Sequence, residues 1–507
     1  MSRESVFSNL YKKGIVESFP LHTSGYVLVA EALLMAICTL VFGFGSEHLP
    51  ASLMVSVLGA ALGFCLIRYF DSPRKVTAST GAFTINLLWA VAIVYGCIPY
   101  MIHGLTVSEA IFESISGFTT TGMSIITDVN SLEPSLLVWR AATGWAGGIG
   151  FIIMFCLLLK YFGLDGRNIF VSDGINKTAS HSTKSIKELS MNFIIVYAIL
   201  TGVLALMLAI MGNDIVDSLC ISMSTISTTG FSTLNEDLTS ISMASKFTIG
   251  LFLIFSAMNF MSLFSAMIGL KIRILINDPE IRQMMLWFVV SSILLIVILN
   301  QSGAMEWDIT GFMDTILMII SIGTTTGFVF HDFSWPTVAM IFLTIVAMIG
   351  GCRESPTGGI KIARLTLIFK SMRNSISTVG FPNEVRSVKF GDTYVKNTIC
   401  YAALTTTLIF LFTAGLGTIA ICMTGVDMLD SFYLCISSLT TTGTGLYSVA
   451  NVAATSEVAQ SIMCMLMWLG RMEITLAIVL FTPTFWKDVR TSLKNVLRAL
   501  RNGITRT

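Results

Sequence analysis

Apolar runs long enough to cross a lipid bilayer dominate this sequence and leave few folds open to it. The first run, YVLVAEALLMAICTLVFGF at 26–44, has the ~20 residues that a helix needs to span the hydrocarbon core. Hydrophobic residues make up 54% of the 507 residues and charged residues 12%, against about 25% charged in soluble domains. With a formal net charge of +1, this composition excludes a soluble globular fold, a basic nucleic-acid binder and an acidic disordered chain. We therefore predict an all-α polytopic membrane protein.

The apolar runs differ in length, which predicts two kinds of helix. Ten transmembrane helices are predicted at 26–44, 51–70, 83–103, 136–160, 188–212, 244–270, 284–302, 337–370, 392–424 and 456–482. Four apolar segments of about 12 residues, too short to cross, lie between them near 106–118, 215–226, 311–322 and 427–439. We predict that these are re-entrant half-helices, which enter and leave the membrane on one side. The polar N-terminus lacks a signal-peptide pattern, so the first run is predicted to be retained.

The distribution of charge predicts which side of the membrane each loop faces. Lys and Arg concentrate in or next to segments 1–25, 71–82, 161–187, 271–283, 371–391 and 483–507, which we place in the cytoplasm together with both termini. Four basic residues are exceptions: Arg140 and Lys246 near outer span ends, and Arg353 and Arg471 within spans. The outer loops are acidic, which either concentrates cations at a pore mouth or serves only solubility.

Each short segment ends in a similar motif, here called a Thr-Gly loop. The four loops are Thr119-Thr120-Thr121-Gly122, Ser227-Thr228-Thr229-Gly230, Thr324-Thr325-Thr326-Gly327 and Thr440-Thr441-Thr442-Gly443. One such motif would mean little, because Thr and Gly are common in membrane helices. Four, each after a short apolar helix, predict a fourfold repeat of span, half-helix, loop and span. Helix packing through small residues does not explain why all four follow half-helices on one side.

The chemistry of the Thr-Gly loops indicates a cation pathway. Polar, non-helical backbone at membrane depth is tolerated where it lines a pore or cavity. Four such loops around a pseudo-fourfold axis place rings of neutral carbonyl and hydroxyl oxygens where a cation's hydration shell would be, at the negative ends of half-helix dipoles. A divalent-cation site normally supplies several carboxylates, and these loops have none. The implied ion is K+, with Na+ as its competitor.

These motifs make the chain resemble the Trk/Ktr/HKT superfamily of potassium transporters, with the bacterial TrkH type as the nearest resemblance. Matching stretches are WAGGIGFIIM (145–154), GGIKIARL (358–365) and WLGRMEITLAIVLFTPTFW (468–486). The resemblance implies one pore from four pseudo-symmetric repeats at 83–187, 188–283, 284–391 and 392–507, after an extra N-terminal helix pair at 1–82. It also implies location in the bacterial inner membrane, a homodimer and a cytosolic RCK-type nucleotide-binding subunit. In this superfamily, glycine at the position of Gly122 is associated with preference for K+.

The resemblance further implies a gate below the Thr-Gly loops. The eighth span is interrupted at 350–359, here called the intramembrane loop, which contains the pairs Gly350-Gly351 and Gly358-Gly359. In the family such a loop blocks the closed pore. This chain has Arg353-Glu354 where small residues are common, either as an extra latch or as a pair neutralised by each other or by another buried charge. Arg471 is expected to face the pore below the loops, with or without an ion pair to Glu473.

Passive, potential-driven K+ uptake is the leading functional hypothesis, and symport of K+ with H+ or Na+ is the alternative. Symport needs a buried titratable relay, for which Glu31, Glu113 and Glu473 are the candidates. Nothing in the sequence suggests an enzyme or a cofactor: there is no GxxxxGK[ST] stretch and no His or carboxylate cluster at membrane depth. The only predicted small-molecule ligand is the transported K+, and the only predicted contact beyond protein partners is membrane lipid.

Overall fold

A computed structural model describes residues 16–71, 78–161, 186–235, 238–269, 271–304, 308–330, 335–380, 387–391, 393–446 and 449–472, with positions 474, 477 and 486. These residues are mostly helical, as predicted, with two short two-stranded sheets. They form two compact units. One contains the described residues up to 114, residues 133–139 and positions 477 and 486, and the other contains residues 115–132 and the described residues from 140 to 474. All four Thr-Gly loops belong to the second unit.

The first described elements belong to the predicted N-terminal helix pair and to the first span of the first predicted repeat. In order these are β1 (Val16–Glu17), α1 (Phe19–Phe42), α2 (Leu49–Tyr69), β2 (Phe70–Asp71), α3 (Ala78–Gly96) and α4 (Ile98–Ile102). Strands β1 and β2 pair in parallel. Helix α1 packs against both α2 and α3. The predicted division at residue 82 and the other repeat boundaries stay predictions.

The four predicted half-helices are present as short apolar helices. They are α5 (Val107–Phe118), α8 (Ile215–Ser227), α13 (Ile309–Gly323) and α17 (Met428–Leu439). Acidic residues cap three of them: the side chains of Asp214, Asp308 and Asp427 accept hydrogen bonds from main-chain N–H groups of the first turn. Three carboxylates predicted to lie in outer loops thus have a capping role that the charge distribution did not predict.

The remaining helices include both long apolar helices and shorter ones. They are α6 (Pro134–Tyr161), α7 (Ile186–Ile210), α9 (Met243–Ala257), α10 (Phe260–Gly269), α11 (Arg273–Asn277), α12 (Pro279–Gln301), α14 (Thr337–Ile349), α15 (Ile362–Gly380), α16 (Asn397–Cys422), α18 (Val449–Ala453) and α19 (Glu457–Arg471). Within the described residues, seven helices are long and apolar enough to span a membrane, or eight if one bent pair is a single span. The count of ten spans stays a prediction.

The span predicted at 244–270 is not one straight helix. Helices α9 and α10 meet at a bend of 109° after Ala257. The side chain of Asn259 caps α10 by accepting hydrogen bonds from the main-chain N–H groups of Met261 and Ser262 at 2.9 and 3.2 Å. The carbonyl of Ala257 accepts a hydrogen bond from the N–H of Cys352 at 3.0 Å. The bend therefore provides a hydrogen-bonding site for the intramembrane loop, which a continuous helix would not have.

The span predicted at 337–370 is interrupted between α14 and α15 by the intramembrane loop. Beyond α15 the chain forms an antiparallel hairpin of β3 (Val388–Phe390) and β4 (Thr393–Val395). The hairpin is anchored by a small apolar cluster that contains Ala363 and Leu367 of α15 and Cys400 of α16. The cluster fastens the hairpin to the helix that leaves the loop.

A glycine contact fixes the crossing of α1 and α2. A Cβ atom at Gly25 would lie 2.7 Å from the carbonyl oxygen of Gly63, and a Cβ at Gly63 would lie 2.7 Å from that of Gly25. Real Cβ atoms essentially never approach so closely, so the two backbones are in contact only because both residues lack a side chain.

We predict that Gly63→Leu destabilises the protein by roughly 1–3 kcal/mol or more, because the side chain must force α1 and α2 apart. Thermal unfolding in detergent, followed by size-exclusion chromatography, measures the change. Gly202→Leu is the matched control, since Gly202 of α7 has no atom within 4 Å of its Cβ position. Equal melting temperatures for the two variants would contradict close packing at this crossing.

Candidate functional site

The four Thr-Gly loops share one backbone conformation. The second residue of each loop, Thr120, Thr228, Thr325 or Thr441, has a φ between 52° and 54°. The glycine that follows two residues later has a φ between 72° and 80°. Positive φ is unusual for a β-branched residue and costs of order 1–3 kcal/mol. Its occurrence at four equivalent positions indicates a conformation that the surrounding structure imposes, and it supports the fourfold repeat.

Hydroxyl groups within each loop are arranged in the same way. The first and third side chains hydrogen-bond to each other in all four loops, with oxygen–oxygen distances of 2.8, 2.6, 2.9 and 2.7 Å. Among the described residues, the second-position hydroxyls of Thr120, Thr228 and Thr441 have no hydrogen-bond partner. Each loop thus uses its first and third hydroxyls in an internal hydrogen bond. In three of the four loops, the hydroxyl of the second residue has no partner among the described residues.

The glycines close the four loops into a ring. A Cβ atom at Gly122 would overlap the carbonyl oxygen of Thr229 in the second loop, and one at Gly230 would overlap that of Thr326 in the third. Likewise, Gly327 lies against the carbonyl of Thr442, and Gly443 lies against that of Thr121. The order runs from the first loop through the fourth and back to the first. We call this arrangement the oxygen ring, and only glycine fits at its four contacts.

Further glycines bring the supporting spans against the half-helix ends. A Cβ at Gly147 of α6 would overlap the carbonyl oxygen of Phe118, and one at Gly470 of α19 would overlap that of Leu439. Phe118 and Leu439 are the residues that directly precede the first and fourth Thr-Gly loops. The small residues in WAGGIG and WLGR therefore allow two spans to approach the carbonyl ends of the half-helices.

The intramembrane loop is docked against the oxygen ring. The N–H of Gly358 donates to the hydroxyl of Thr325 at 2.7 Å. Thr325 thus differs from Thr120, Thr228 and Thr441, whose hydroxyls have no partner in the described part of the chain. A Cβ at Gly358 would overlap the carbonyl oxygen of Thr440 and the hydroxyl of Thr441. At the base of the loop, a Cβ at Gly350 would overlap the carbonyl of Gly358. The two predicted Gly pairs thus pack against each other and against the ring.

Two buried cations hold the turn of the intramembrane loop. The guanidinium of Arg471 donates to the carbonyl of Pro356 at 2.6 Å and to that of Gly147 at 3.0 Å. The ammonium of Lys361 donates to the carbonyl of Ser355 at 3.2 Å, to the hydroxyl of Thr357 at 2.9 Å and to the Thr357 carbonyl. Three consecutive loop carbonyls are therefore hydrogen-bonded to cations of the protein itself.

Arg471 and Lys361 also approach the same aromatic ring. The Arg471 guanidinium carbon lies 4.4 Å from the centroid of the Phe151 ring, and the Lys361 nitrogen lies 5.7 Å from it. Both distances are within the range of cation–π attraction. Phe151, Lys361 and Arg471 line a cavity of about 30 Å³ together with Thr407 of α16 and Thr441. The cavity has room for about two waters. Glu473, the predicted partner of Arg471, lies outside the described residues.

Arg353 of the Arg353-Glu354 pair contacts another buried charge, which is one of the alternatives that the sequence left open. Arg353 contacts Glu280, at the start of α12, twice. Its main-chain N–H donates to one carboxylate oxygen at 2.7 Å, and its side-chain Nε lies 3.5 Å from the other. The Glu354 carbonyl accepts from the N–H of Phe260 at 3.4 Å. Arg353 is thus paired with a buried charge 73 residues away in sequence.

The profile of the TrkH family, described as a cation transport protein, matches residues 52–488. The chain belongs to the TrkH family. Trk system potassium uptake protein TrkH of Escherichia coli K12 is 30% identical over 82% of this chain and 87% of its own length. Its counterpart from Salmonella typhimurium is 29% identical over 84% and 91%.

The fold has the same relationship. The crystal structure of the potassium transporter TrkH from Vibrio parahaemolyticus superposes with a TM-score of 0.84 at 25% identity, covering 92% of this chain and 98% of that one. TrkH-family proteins are ion transporters and not enzymes. In the described part of this TrkH-family chain, no group of three His, Cys, Asp or Glu residues could hold a metal ion.

Lys361 is the main residue that sequence reasoning missed in this TrkH-family chain. It was grouped with the basic residues next to the cytoplasmic segments, yet it is 3% exposed and contacts the intramembrane loop. Two signals pointed to it: it directly follows the Gly358-Gly359 pair, and it belongs to the matching stretch GGIKIARL. The symport candidates Glu31 and Glu113 are buried in the first unit, whereas the oxygen ring belongs to the second.

We predict that Gly122→Ser lowers the K+/Na+ permeability ratio, by about tenfold for each 1.4 kcal/mol of lost discrimination. The added side chain must displace the Thr229 carbonyl and distort the oxygen ring. Ion-selective flux in proteoliposomes measures the ratio. Gly212→Ser is the control, because Gly212 also has a positive φ but has no atom within 4 Å of its Cβ position. An unchanged permeability ratio would show that Gly122 does not contribute to the selection between K+ and Na+.

We predict that Lys361→Met raises basal K+ flux by roughly tenfold or more, because the docked loop loses its hydrogen bonds to a charged group. Methionine keeps the length of the apolar stem. Rb+ uptake into proteoliposomes, normalised to reconstituted protein, measures the flux. Lys271→Met, at an exposed lysine, serves as the control. Unchanged flux in the Lys361 variant would show that the ammonium does not restrain the loop.

Proposed function

We propose that this protein mediates potassium uptake across the bacterial inner membrane through a selectivity filter formed by the oxygen ring. The single observation that carries the proposal is the closed cycle of glycine contacts between the four Thr-Gly loops. Carbonyl and hydroxyl oxygens of the loops replace the hydration shell of a monovalent cation. The names of the relatives, which are potassium uptake proteins, agree with K+ as the transported ion. No bound cofactor is part of the proposal.

The membrane potential is the proposed driving force. Moving one positive charge inward through 100 mV releases about 2.3 kcal/mol, which suffices for accumulation of K+ without ATP. The oxygen ring needs no conformational cycle to select an ion. Symport with H+ or Na+ is the alternative, and the observation that favours it is Glu31, whose Oε2 has no hydrogen-bond partner among the described residues.

The docked intramembrane loop is the proposed closed gate. Its Gly358 contacts the oxygen ring, and its carbonyls at 355–357 are hydrogen-bonded to Lys361 and Arg471. At a separation of ~6 Å and an effective dielectric of ~20, Arg471 repels K+ by about 2.8 kcal/mol, roughly a hundredfold in occupancy. The fixed cation and the loop together prevent K+ from occupying the space below the filter.

Assembly and orientation belong to the same proposal. Both termini are placed in the cytoplasm by the Lys and Arg distribution, and the half-helices enter from outside. A homodimer and a cytosolic RCK-type nucleotide-binding subunit are proposed from family resemblance. That subunit would shift the loop between docked and undocked states, and its free energy of nucleotide binding would have to differ between those states.

Ion-selective flux in proteoliposomes, with and without the cytosolic subunit, tests the function. K+ or Rb+ uptake driven by an imposed potential is expected. A reversal potential that follows the K+ gradient and ignores a pH or Na+ gradient supports passive uptake. A shift with pH or Na+ would support symport, and no K+ movement under any condition would overturn the proposal.

We predict that Arg471→Ala raises Rb+ flux, by up to roughly a hundredfold, because both the repulsion of K+ and a hydrogen bond to the loop are lost. Arg471→Lys is the matched control: it keeps the charge, and its flux should stay much closer to that of the unchanged protein. Rb+ uptake per reconstituted protein measures the effect. Equal or lower flux from the alanine variant at normal expression would contradict a barrier at Arg471.

A further inference from the structure

Arg353 ties the intramembrane loop to the start of α12 through two atoms. Its main-chain N–H and its Nε both face the carboxylate of Glu280, at 2.7 and 3.5 Å. Glu280 is only 2% exposed and lies in the first turn of α12, which Asp278 caps. A buried carboxylate that loses its cationic partner is strongly disfavoured, so this contact resists separation of the loop from α12.

Phe390 brings the hairpin into the same contact. The Arg353 guanidinium carbon lies 5.4 Å from the centroid of the Phe390 ring, and the Lys370 nitrogen lies 5.7 Å from it. Lys370, on α15, also donates to the carbonyl of Lys389 at 2.8 Å, next to Phe390 in β3. The ring is 4% exposed and belongs to the apolar cluster that anchors the hairpin. One hairpin residue therefore contacts both the intramembrane loop and the helix that follows it.

The two ends of the intramembrane loop connect different parts of the molecule. Arg353 contacts Glu280 and Phe390, whereas Gly358, five positions later, contacts Thr325 of the oxygen ring. Five residues span at most about 18 Å, so the chain between Arg353 and Gly358 is too short to absorb a large displacement of Arg353. The hairpin is thus linked to the oxygen ring through a short, directly bonded stretch.

We propose that Glu280 and Phe390 are positioning residues of the gate, which hold Arg353 and keep the intramembrane loop docked. Movement of the hairpin withdraws the Phe390 ring from Arg353, weakens its pairing with Glu280 and frees the loop from the oxygen ring. A conformational change at the hairpin is then transmitted through Arg353 to the proposed filter. This inference rests on the proposed gate, because it assigns a linkage to the same loop.

The test uses variants that separate the ring of Phe390 from its packing. Phe390→Leu keeps an apolar side chain in the cluster but removes the aromatic face, whereas Phe390→Trp keeps an aromatic face. Tyr394→Leu, on the same hairpin at 74% exposure, is the matched control. Basal Rb+ flux in proteoliposomes is expected to rise about twofold to fivefold for Phe390→Leu, the range of an ordinary cation–π contact. It should stay near the unchanged level for Phe390→Trp and for the control.

Glu280→Gln provides the second arm. It removes the charge but keeps an amide oxygen that accepts from the Arg353 N–H, and it is expected to raise basal flux by about tenfold or more. Adding Phe390→Leu to Glu280→Gln should raise basal flux by a smaller factor than Phe390→Leu does in the unchanged protein, because both substitutions act through Arg353. Strict multiplication of the two effects would overturn the shared linkage.

Alkylation of Cys352 gives a readout that does not depend on transport. This thiol directly precedes Arg353 and is fully buried, so site-resolved mass spectrometry should detect faster modification by N-ethylmaleimide in Phe390→Leu and Glu280→Gln. Wild-type rates in both variants would overturn the linkage. If no preparation moves Rb+ but Cys352 becomes reactive in the variants, the transport proposal fails while the linkage stands. Equal melting temperatures of all variants exclude general unfolding as the cause.

Discussion

The contact between a loop glycine and a carbonyl of the next repeat is the constraint on which the rest of the structure depends. Each glycine of the oxygen ring excludes a side chain because the neighbouring backbone already occupies that space. The contact also requires positive φ at that glycine and at the second residue of its loop. The half-helices must then end just before their loops or at the first loop residue. Helices α6 and α19 must also approach the ends of the first and fourth half-helices, which Gly147 and Gly470 allow. The positions of the glycines, the ends of the half-helices and the packing of the helices against them are thus all constrained by the contacts of the oxygen ring.

The oxygen ring has approximate fourfold symmetry, but the intramembrane loop packed against it does not repeat. The intramembrane loop bonds to Thr325 of the third Thr-Gly loop and packs against the fourth, and it is held by Lys361 and Arg471. In the proposed function, a single asymmetric element would therefore control a nearly symmetric pathway. The protein uses its own ammonium and guanidinium groups to satisfy the loop carbonyls, so the docked loop needs no bound ion to complete its hydrogen bonds.

Much of this arrangement was predictable from short-range patterns in the sequence. The half-helices, the repeat of the Thr-Gly loops and the interruption between α14 and α15 all follow from apolar length and from glycine placement. The bend after Ala257 was missed because the apolar run continues through it, although Asn259 is a capping residue. Glu280 was missed because its partner is 73 residues away, and a single sequence carries no signal for such a pairing. Lys361 was misassigned because charge alone does not distinguish a buried ammonium from a cytoplasmic one.

The closure of the oxygen ring has a consequence for how the chain reaches its folded state. Gly443 packs against the carbonyl of Thr121, so the first Thr-Gly loop lacks one of its two neighbours in the ring until the fourth loop has been synthesised. In the proposed pore the ring lies within the membrane, where polar backbone groups that face lipid are not tolerated before they reach their final surroundings. The early repeats must therefore wait in a water-accessible or protein-shielded environment during synthesis. Completion of the ring is a late, long-range step that a fragment lacking the fourth repeat cannot make.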